Sequence, residues 1–304
     1  ALINKAYALY EVGRIEEAIA CCKQIIAIDG DHAQARLAQL VFELPVIPKT
    51  VEESARAVER FMQGLTALSK WASSNQLALS HAIGRSQPFY LAYRAQDLTP
   101  ALCAYGDVAA AAMQSQALTL PSPPEGGERI KLLILSGHFC RHAVWDVILK
   151  GVVSQIDKTK FELILCHSSA KVDDETAFAR KAGDVFFEGP KTAAEWARVI
   201  QDVKPQVIFY PELGMDPISG QLAAIRLAPL QIVSWGHPVT SGFPTVDLFF
   251  SGEVIEPEEA DRHYRERLIR LPGCGVYLDH TAQDAEPFLE ARSSADHVRY
   301  ALCH

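Results

Sequence analysis

The chain has 304 residues, of which 49% are hydrophobic and 22% charged, a composition typical of globular protein and a length sufficient for two domains. Acidic residues outnumber basic ones by 37 to 29, giving a net charge of −8, whereas a protein that binds nucleic acid through its phosphates needs surplus positive charge. No apolar run reaches the roughly 18 to 20 residues of a membrane-spanning helix, and the first residues lack the pattern of a signal peptide. We therefore predict a cytoplasmic protein with no nucleic-acid partner and no membrane association.

Seven cysteines are scattered through the sequence without any C-x-x-C spacing. An odd number at irregular intervals argues against a disulfide framework or a zinc knuckle, so most of them are predicted to be small buried hydrophobic residues. His280, His297 and His304 near the end of the sequence also lack the spacing of metal ligands. No metal site is predicted.

The first predicted element is a pair of helices in residues 6–30. Small and apolar residues recur at helical spacing in two runs, which are separated by Gly13 and closed by Asp29 and Gly30. This pattern resembles a tetratricopeptide repeat, a helix–turn–helix unit of about 34 residues, with Gly30 in place of the usual proline. An ordinary amphipathic helical hairpin is the alternative.

The helical arm is predicted to cover residues 1–118. Thr50 followed three residues later by Glu53 is a capping box that marks a helix start, and the aromatic segment 86–97 is expected to pack against the next domain. Because repeat arrays need about three units to bury their apolar faces, and this sequence begins inside a first helix, further repeats are expected upstream. Residues 119–129 hold three prolines and two glycines and are predicted to be an interdomain linker.

From residue 130 the pattern changes to short apolar runs separated by amphipathic stretches. The seven runs cover residues 130–137, 161–169, 184–189, 205–213, 230–236, 246–252 and 267–273. Strands that are apolar on both faces and alternate with helices are typical of a parallel sheet covered on both sides. The sequence thus predicts an α/β protein in which the helical arm is followed by one doubly wound, mostly parallel domain over 130–278. Such sheets bind ligands beyond the carboxyl ends of their strands.

Polar residues follow three of these runs at their carboxyl ends. SGHFCRH after the first run supplies His138 and His142, and YPELGMDP after the fourth supplies Glu212 and Asp216. WGHPVTSG after the fifth run supplies Gly236, His237, Pro238, Thr240, Ser241 and Gly242. The two acids could contact a bound substrate, although acidic side chains at strand ends are usually solvated. The G-x-G-x-x-G, P-loop and G-x-S-x-G motifs are missing from the sequence, which disfavours dinucleotide dehydrogenases, P-loop NTPases and α/β-hydrolases.

Residues 227–273 are similar to a segment of the protein O-linked N-acetylglucosamine transferases and SPINDLY-like proteins. The shared pattern is an Ala-Pro-x-Gln strand, here starting at Ala228, and a Pro-x-Thr-Ser-Gly loop that ends at Gly242. Phe139 and His142 match the family's Phe-x-x-His turn, while YPELGMDP and GHP resemble a bacterial branch that includes cytoplasmic protein N-glucosyltransferases. Arg141 and His237 depart from the residues common in the family. A repeat arm followed by an α/β domain is also the family's layout.

This resemblance implies two Rossmann-like domains that face each other across a cleft, with the sugar nucleotide held mainly by the second. The domain over 130–278 would be the first of the two, and residues 279–304 are expected to be the start of the second. His142 is implied as the catalytic residue, either as a general base or as a polar group beside the sugar. The alternative for His142 is to cap the helix that follows it.

The remaining candidate residues are implied to bind the substrate or donor. They are His138, Gly236, His237, Pro238, Thr240 and Ser241. The loop would offer backbone amides and hydroxyls of the kind that hold phosphates, and its alternative is a turn that needs glycine and proline for its shape. His138 could instead orient His142 or fill the strand edge.

The function implied is that of an inverting protein glycosyltransferase, which transfers a sugar such as N-acetylglucosamine or glucose to protein Ser/Thr or Asn. A nucleotide sugar, expected to be UDP-linked, would be the substrate, with no further cofactor. The acceptor protein would bind along the helical arm. The alternative is a non-catalytic fragment that binds acceptor proteins, and the 304-residue chain alone is expected to fold without transferring sugar.

Overall fold

A computed structural model describes residues 1–116 and 127–277. The predicted tail 279–304 and residues 119–126 of the predicted linker lie outside the described residues, so both remain predictions. The first part of the chain is helical. Its elements are α1 (Leu2–Glu11), α2 (Ile15–Ile28), α3 (Ala33–Phe42), α4 (Val51–Ala72), α5 (Gln76–Ser80), a 3-10 helix (Phe89–Tyr93) and α6 (Thr99–Gln114).

The pair α1 and α2 forms the predicted helical hairpin. Ala6 and Ala18 are fully buried between the two helices, where small side chains allow close packing. Gly13 takes a left-handed backbone conformation, with φ of +77°, in the turn that joins them, a conformation that glycine adopts without strain. The hairpin then packs against α3, and Tyr10 of α1 stacks on Phe42 of α3 with ring centroids 4.5 Å apart.

The long helix α4 begins at the predicted cap. The Thr50 hydroxyl accepts a hydrogen bond from the backbone N–H of Glu53 at 3.1 Å, as the capping box requires. The Glu53 carboxylate, however, accepts from the N–H of Lys49 instead of from Thr50 itself. The helix start is therefore confirmed, while the reciprocal half of the box is shifted by one residue.

All seven predicted runs form strands of one parallel sheet. The strands are β1 (Ile130–Ser136), β2 (Phe161–His167), β3 (Val185–Glu188), β4 (Val207–Tyr210), β5 (Leu230–Ser234), β6 (Leu248–Gly252) and β7 (Arg267–Leu271), in the order β3-β2-β1-β4-β5-β6-β7. Every described pairing is parallel. The chain therefore winds in one direction from β1 to β3 and in the other from β4 onward, and the predicted doubly wound fold is confirmed.

Helices cover both faces of this sheet. Connecting elements are a π-helix (Val144–Leu149), α7 (Lys150–Gln155), α8 (Asp174–Ala182), α9 (Ala193–Val203), α10 (Pro217–Ala223) and a 3-10 helix (Ala260–His263). Residues alternate between faces along β1, so that Ile134 packs against the π-helix, α7 and α8. Leu133 and Leu135 face the opposite side, where α9 and α10 lie.

The helical arm shares the second of these cores. One continuous hydrophobic cluster runs from Phe61 of α4 and Ala109 of α6 to Leu133 of β1. The aromatic segment also contacts the sheet domain, because Phe89 stacks on His237 with ring centroids 4.9 Å apart. This contact confirms the predicted packing of residues 86–97 against the next domain. Within the described ranges, no helix is both long and apolar enough to span a membrane.

Candidate functional site

The carboxyl ends of β1 and β4 meet around a buried carboxylate. Glu212, two residues after β4, has no exposed surface. Its Oε1 accepts hydrogen bonds from the Ser136 hydroxyl at 2.8 Å, the Gly137 N–H at 3.1 Å and the His138 Nδ1 at 3.3 Å. The expectation of a solvated side chain is wrong for Glu212, because the turn after β1 offers three donors that replace water.

Two histidine rings stack above this carboxylate. The imidazoles of His138 and His142 lie with centroids 4.0 Å apart and planes inclined by 29°. The His138 side chain is 22% exposed, and His142 is partly exposed as well. The structure therefore brings the two histidines predicted after β1 together and couples one of them to Glu212.

The hydrogen bonds of His142 determine which of its nitrogens carries a proton. Nδ1 accepts from the backbone N–H of Val144 at 3.1 Å, so the neutral ring has its hydrogen on Nε2. Burial, the charge of His138 and the charge of Lys171 lower the pKa of His142 below its usual value. At neutral pH the ring is uncharged, and Nε2 is a hydrogen-bond donor. The Val144 contact lies at the start of the π-helix, whose N-cap residue is Ala143.

The loop after β5 packs more tightly than the turn after β1. A Cβ added to Gly236 would lie 2.3 Å from the carbonyl oxygen of Pro211, so a glycine is needed where the loops after β4 and β5 approach each other. His237 is 6% exposed, and burial lowers its pKa to about 4. Its ring lies between Phe89 and the backbone of Gly214, which makes it a neutral packing residue at pH 7.

The hydroxyl residues of this loop bind a second buried carboxylate. Glu266, just before β7, is 5% exposed and accepts from the Thr240 hydroxyl at 2.5 Å. It also accepts from the N–H of Ser241 at 2.8 Å and from the Ser241 hydroxyl. Pro238 is exposed at the rim of a cavity of about 240 Å³. Thr240 and Ser241 thus use their hydroxyls within the protein in this structure, and their predicted contact with a donor stays a prediction.

The same loop is fixed to the helical arm. A Cβ on Gly106 of α6 would lie 2.0 Å from the Gly242 carbonyl oxygen, so the two backbones are in direct contact. Arg265 Nη1 bridges the same place, donating to the Gly242 carbonyl at 3.0 Å and to the Asp107 carboxylate at 2.6 Å. This end of the loop therefore joins the arm to the sheet.

Glu266 is the residue that sequence reasoning missed. It lies in a charged stretch, RERLIRL, where an acid ahead of a strand looks solvated. The Ala-Pro-x-Gln segment contains a similar case, because Gln231 is fully buried and holds the N–H of Leu227 and the carbonyl of Thr245. Over residues 1–116 and 127–277, the structure contains no cluster of His, Cys, Asp or Glu that could hold a metal ion.

Sequence comparison finds similarity to protein glycosyltransferases, although no family model matches the chain. The probable UDP-N-acetylglucosamine–peptide N-acetylglucosaminyltransferase SPINDLY of Arabidopsis thaliana is 26% identical over 150 residues, which cover 46% of this chain and 16% of the plant protein. The UDP-glucose:protein N-β-glucosyltransferase of Actinobacillus pleuropneumoniae serotype 5b is 25% identical over 178 residues, covering 56% of this chain and 26% of the bacterial protein. The chain therefore spans a minor part of the length of these curated relatives.

Comparison with solved structures also finds a glycosyltransferase. A solved mutant O-GlcNAc transferase of Thermobaculum terrenum matches with a TM-score of 0.50 and 18% sequence identity, covering 90% of this chain and 57% of that one. At this identity the match concerns the fold. The predicted resemblance to protein O-linked N-acetylglucosamine transferases, SPINDLY-like proteins and protein N-glucosyltransferases is confirmed, and so is the predicted fold class.

Proposed function

We propose that this chain is part of a protein glycosyltransferase, in which the helical arm and the parallel sheet form one wall of the transfer site. The observation that carries the proposal is the stacked pair His138 and His142 above buried Glu212, at the sheet edge where doubly wound domains bind ligands. Similarity to a peptide N-acetylglucosaminyltransferase and to a protein N-glucosyltransferase supports a nucleotide sugar as donor and a protein as acceptor.

The proposed reaction is an inverting displacement at the anomeric carbon. A Ser or Thr hydroxyl, or an Asn amide, forms the new bond while the nucleoside diphosphate, here proposed to be UDP, leaves with the electron pair of the old one. The proton of the acceptor passes to a base. Because His142 Nδ1 accepts from Val144, its Nε2 is a donor, and we assign it to hydrogen-bond a substrate oxygen. To act as the base through Nε2, His142 would have to exchange that proton to Nδ1 and lose the Val144 contact.

The remaining parts of the proposal concern the loop, the acceptor and the compartment. Of the predicted binding residues, His138 lies beside His142, whereas Gly236, His237, Pro238, Thr240 and Ser241 belong to a loop whose side chains mostly contact protein. The acceptor is proposed to bind along the helical arm, where Tyr7, Tyr10 and Phe89 line a groove of about 390 Å³. A cytoplasmic location is proposed because the described cysteines are free thiols, as expected in a reducing compartment.

The proposal is tested by sugar transfer with the natural gene product that contains these 304 residues and, in parallel, with the 304-residue chain. Radiolabelled UDP-N-acetylglucosamine and UDP-glucose are offered with a protein lysate. His142→Ala should lower transfer by about 100-fold or more, while His142→Gln should retain most of it because the amide N–H can replace Nε2–H. His32→Asn, which exchanges one helix cap for another at α3, is the matched control.

Two results would count against this assignment. Equal loss in His142→Gln and His142→Ala would indicate that His142 is the base and not a donor. Absence of transfer from every UDP-sugar by the natural gene product would remove the proposed function itself.

A further inference from the structure

A groove near the site lies between the helical arm and the carboxyl ends of β2, β3 and β4. Its volume is about 630 Å³. We call it the cationic groove, after the side chains that line it, which include His81, Arg85, Ser168, Lys191, Thr192 and Asp216. It reaches the turn after β1, because a Cβ on Gly137 would lie 3.5 Å from Ser168 Oγ and 3.6 Å from Asp216 Oδ1. The groove is thus one residue away from His138.

The cationic side chains of this groove form no salt bridge within the described chain. Arg85 Nε donates to the carbonyl of His81, and Lys191 Nζ donates to the carbonyl of Glu188 at 2.5 Å and lies 4.5 Å from the Trp196 ring. The Glu188 carboxylate is paired with Arg180 outside the groove. Neither Arg85 nor Lys191 therefore forms a salt bridge in the part of the chain that the structure describes, although the charge of Lys191 contributes to the lowered pKa of Glu195.

The one carboxylate among the described lining residues, that of Asp216, already accepts hydrogen bonds. Its Oδ2 accepts from the N–H of Ser219 at 2.7 Å and from the Ser219 hydroxyl at 2.6 Å, capping α10. Two cationic side chains and a histidine thus line a groove with one engaged acid, in a chain whose net charge is −8. A locally positive surface on a protein of negative net charge attracts anions.

Backbone and hydroxyl donors add to this attraction. The 11-residue helix α9 begins at the groove, and its first residues, Ala193 and Ala194, line it. The amides of a first helical turn point toward anions and carry a partial positive charge. Glu195 in the same turn has its carboxylate bound to Thr192. Independently, Ser168 is 8% exposed, lines the groove, and its hydroxyl has no hydrogen-bond partner among the described residues. A bound acceptor oxygen would satisfy this donor.

The shape of the surface favours a peptide over a small anion. The cationic groove shares Arg85 and Pro217 with the groove of about 390 Å³ that Tyr7, Tyr10 and Phe89 line, here called the aromatic groove. The two grooves meet where Gly84 and Pro217 are in backbone contact, since a Cβ on Gly84 would lie 2.2 Å from the Pro217 carbonyl oxygen. An extended chain covers about 3.3 Å per residue, so one peptide can occupy both grooves.

We infer that this joined surface selects acceptor segments that carry Asp or Glu in the cationic groove and an aromatic or aliphatic side chain in the aromatic groove. The inference deepens the proposed function, on which it rests, by naming a sequence class for the acceptor. Carboxylates are recognised by Arg85, Lys191, the α9 amides and the Ser168 hydroxyl. Apolar side chains are recognised by packing against Tyr7 and Phe89, which are partly exposed.

Peptide binding to the 304-residue chain tests this without requiring transfer. The probe is a fluorescein-labelled, end-blocked peptide of about twelve residues with one tyrosine, a Gly-Ser spacer and three glutamates. Matched peptides replace the glutamates by lysines or the tyrosine by serine. The glutamate peptide should bind tightest, more weakly as salt is raised, and about tenfold more weakly to the double variant Arg85→Gln, Lys191→Gln. Lys23→Gln, an exposed lysine on α2, is the control and should bind like the wild type.

Three other outcomes contradict the inference, and a fourth contradicts the proposed function alone. Equal binding of the glutamate and lysine peptides, or of the glutamate peptide by wild type and double variant, removes the cationic groove as the determinant. If inorganic phosphate perturbs the Lys191 and Ser168 amide signals in NMR while the glutamate peptide does not bind, the groove is a small-anion site and not a peptide site. If the peptide binds as expected but the natural gene product transfers no sugar, the proposed function fails and the binding surface stands.

Discussion

Two loops at the carboxyl edge of the sheet are each ordered by a buried carboxylate, but the two loops differ in what they expose. In the turn after β1, buried Glu212 holds Ser136, Gly137 and His138 and leaves two imidazole rings partly exposed. In the loop after β5, buried Glu266 holds Thr240 and Ser241, and that loop is closed against the helical arm. A carboxylate beneath a strand-end loop can therefore order either an open polar surface or a structural joint.

The difference between the loops comes from what covers them. His237 is stacked on Phe89 and titrates far below neutral pH, whereas His142 keeps access to solvent and a free Nε2 donor. The resemblance of the sequence to protein O-linked N-acetylglucosamine transferases predicted a functional role for both loops. The structure places the titratable and exposed groups in the first loop, so the first is the better candidate for chemistry and the second for holding arm and sheet together.

The largest expected effect comes from disrupting the joint between arm and sheet, which is the backbone contact of Gly106 in α6 with Gly242 in the loop after β5. Gly106→Ala puts a Cβ where the Gly242 carbonyl now lies, 2.0 Å away and backbone against backbone. We expect a loss of about 3 kcal/mol or more in the free energy of unfolding, because neither backbone can move without separating α6 from the loop. Urea denaturation measures it. Gly30→Ala, with open space around the added Cβ, should change stability by no more than about 0.5 kcal/mol, and similar values for the two variants would show that the joint is not rigid.

The second effect concerns the pH dependence of stability. The unfolded chain protonates His237 below about 6.5, while the folded protein does so near pH 4, so the unfolded state binds the extra proton between these values. The contribution of His237 to stability is complete above pH 6.5 and is lost as the pH falls to 4, by up to about 3 kcal/mol. Urea denaturation of His237→Phe at pH 7 and pH 4.5 should show a correspondingly shallower decline than wild type. Identical slopes for His237→Phe and wild type would contradict the buried neutral ring.

The smallest expected effect distinguishes the role of Glu212 from that of Glu266. Glu212→Gln and Glu266→Gln should each cost about 1–3 kcal/mol of folding stability, since each keeps its size but disturbs a buried set of donors. Their NMR signatures should differ. The imidazole nitrogen signals of His138 and His142 should shift in Glu212→Gln and stay in place in Glu266→Gln. A shift in both variants, or in neither, would mean that the two loops are not the independent units described here.

The strands were predictable because each is a short and mostly apolar run, so every one of the seven appears in the sequence without reference to distant residues. The helical hairpin was predictable for the same local reason, with Gly13 marking its turn. The buried carboxylates were not. Glu212 meets Ser136 across 76 residues and Glu266 meets Thr240 across 26, and an acid looks solvated until the donors that replace water are known. The role of His142 depended likewise on a backbone amide that only the fold brings to Nδ1.

The hydrophobic cluster shared by arm and sheet has a consequence for motion. Swinging the helices away from the sheet would divide this shared cluster and pull α6 from the loop after β5, at a cost in apolar surface that thermal fluctuation rarely supplies. The aromatic groove and the histidines after β1 are therefore held at a fixed separation. A peptide that binds at both places must span this fixed separation. The number of residues between its two binding side chains therefore matters as much as the identity of those side chains.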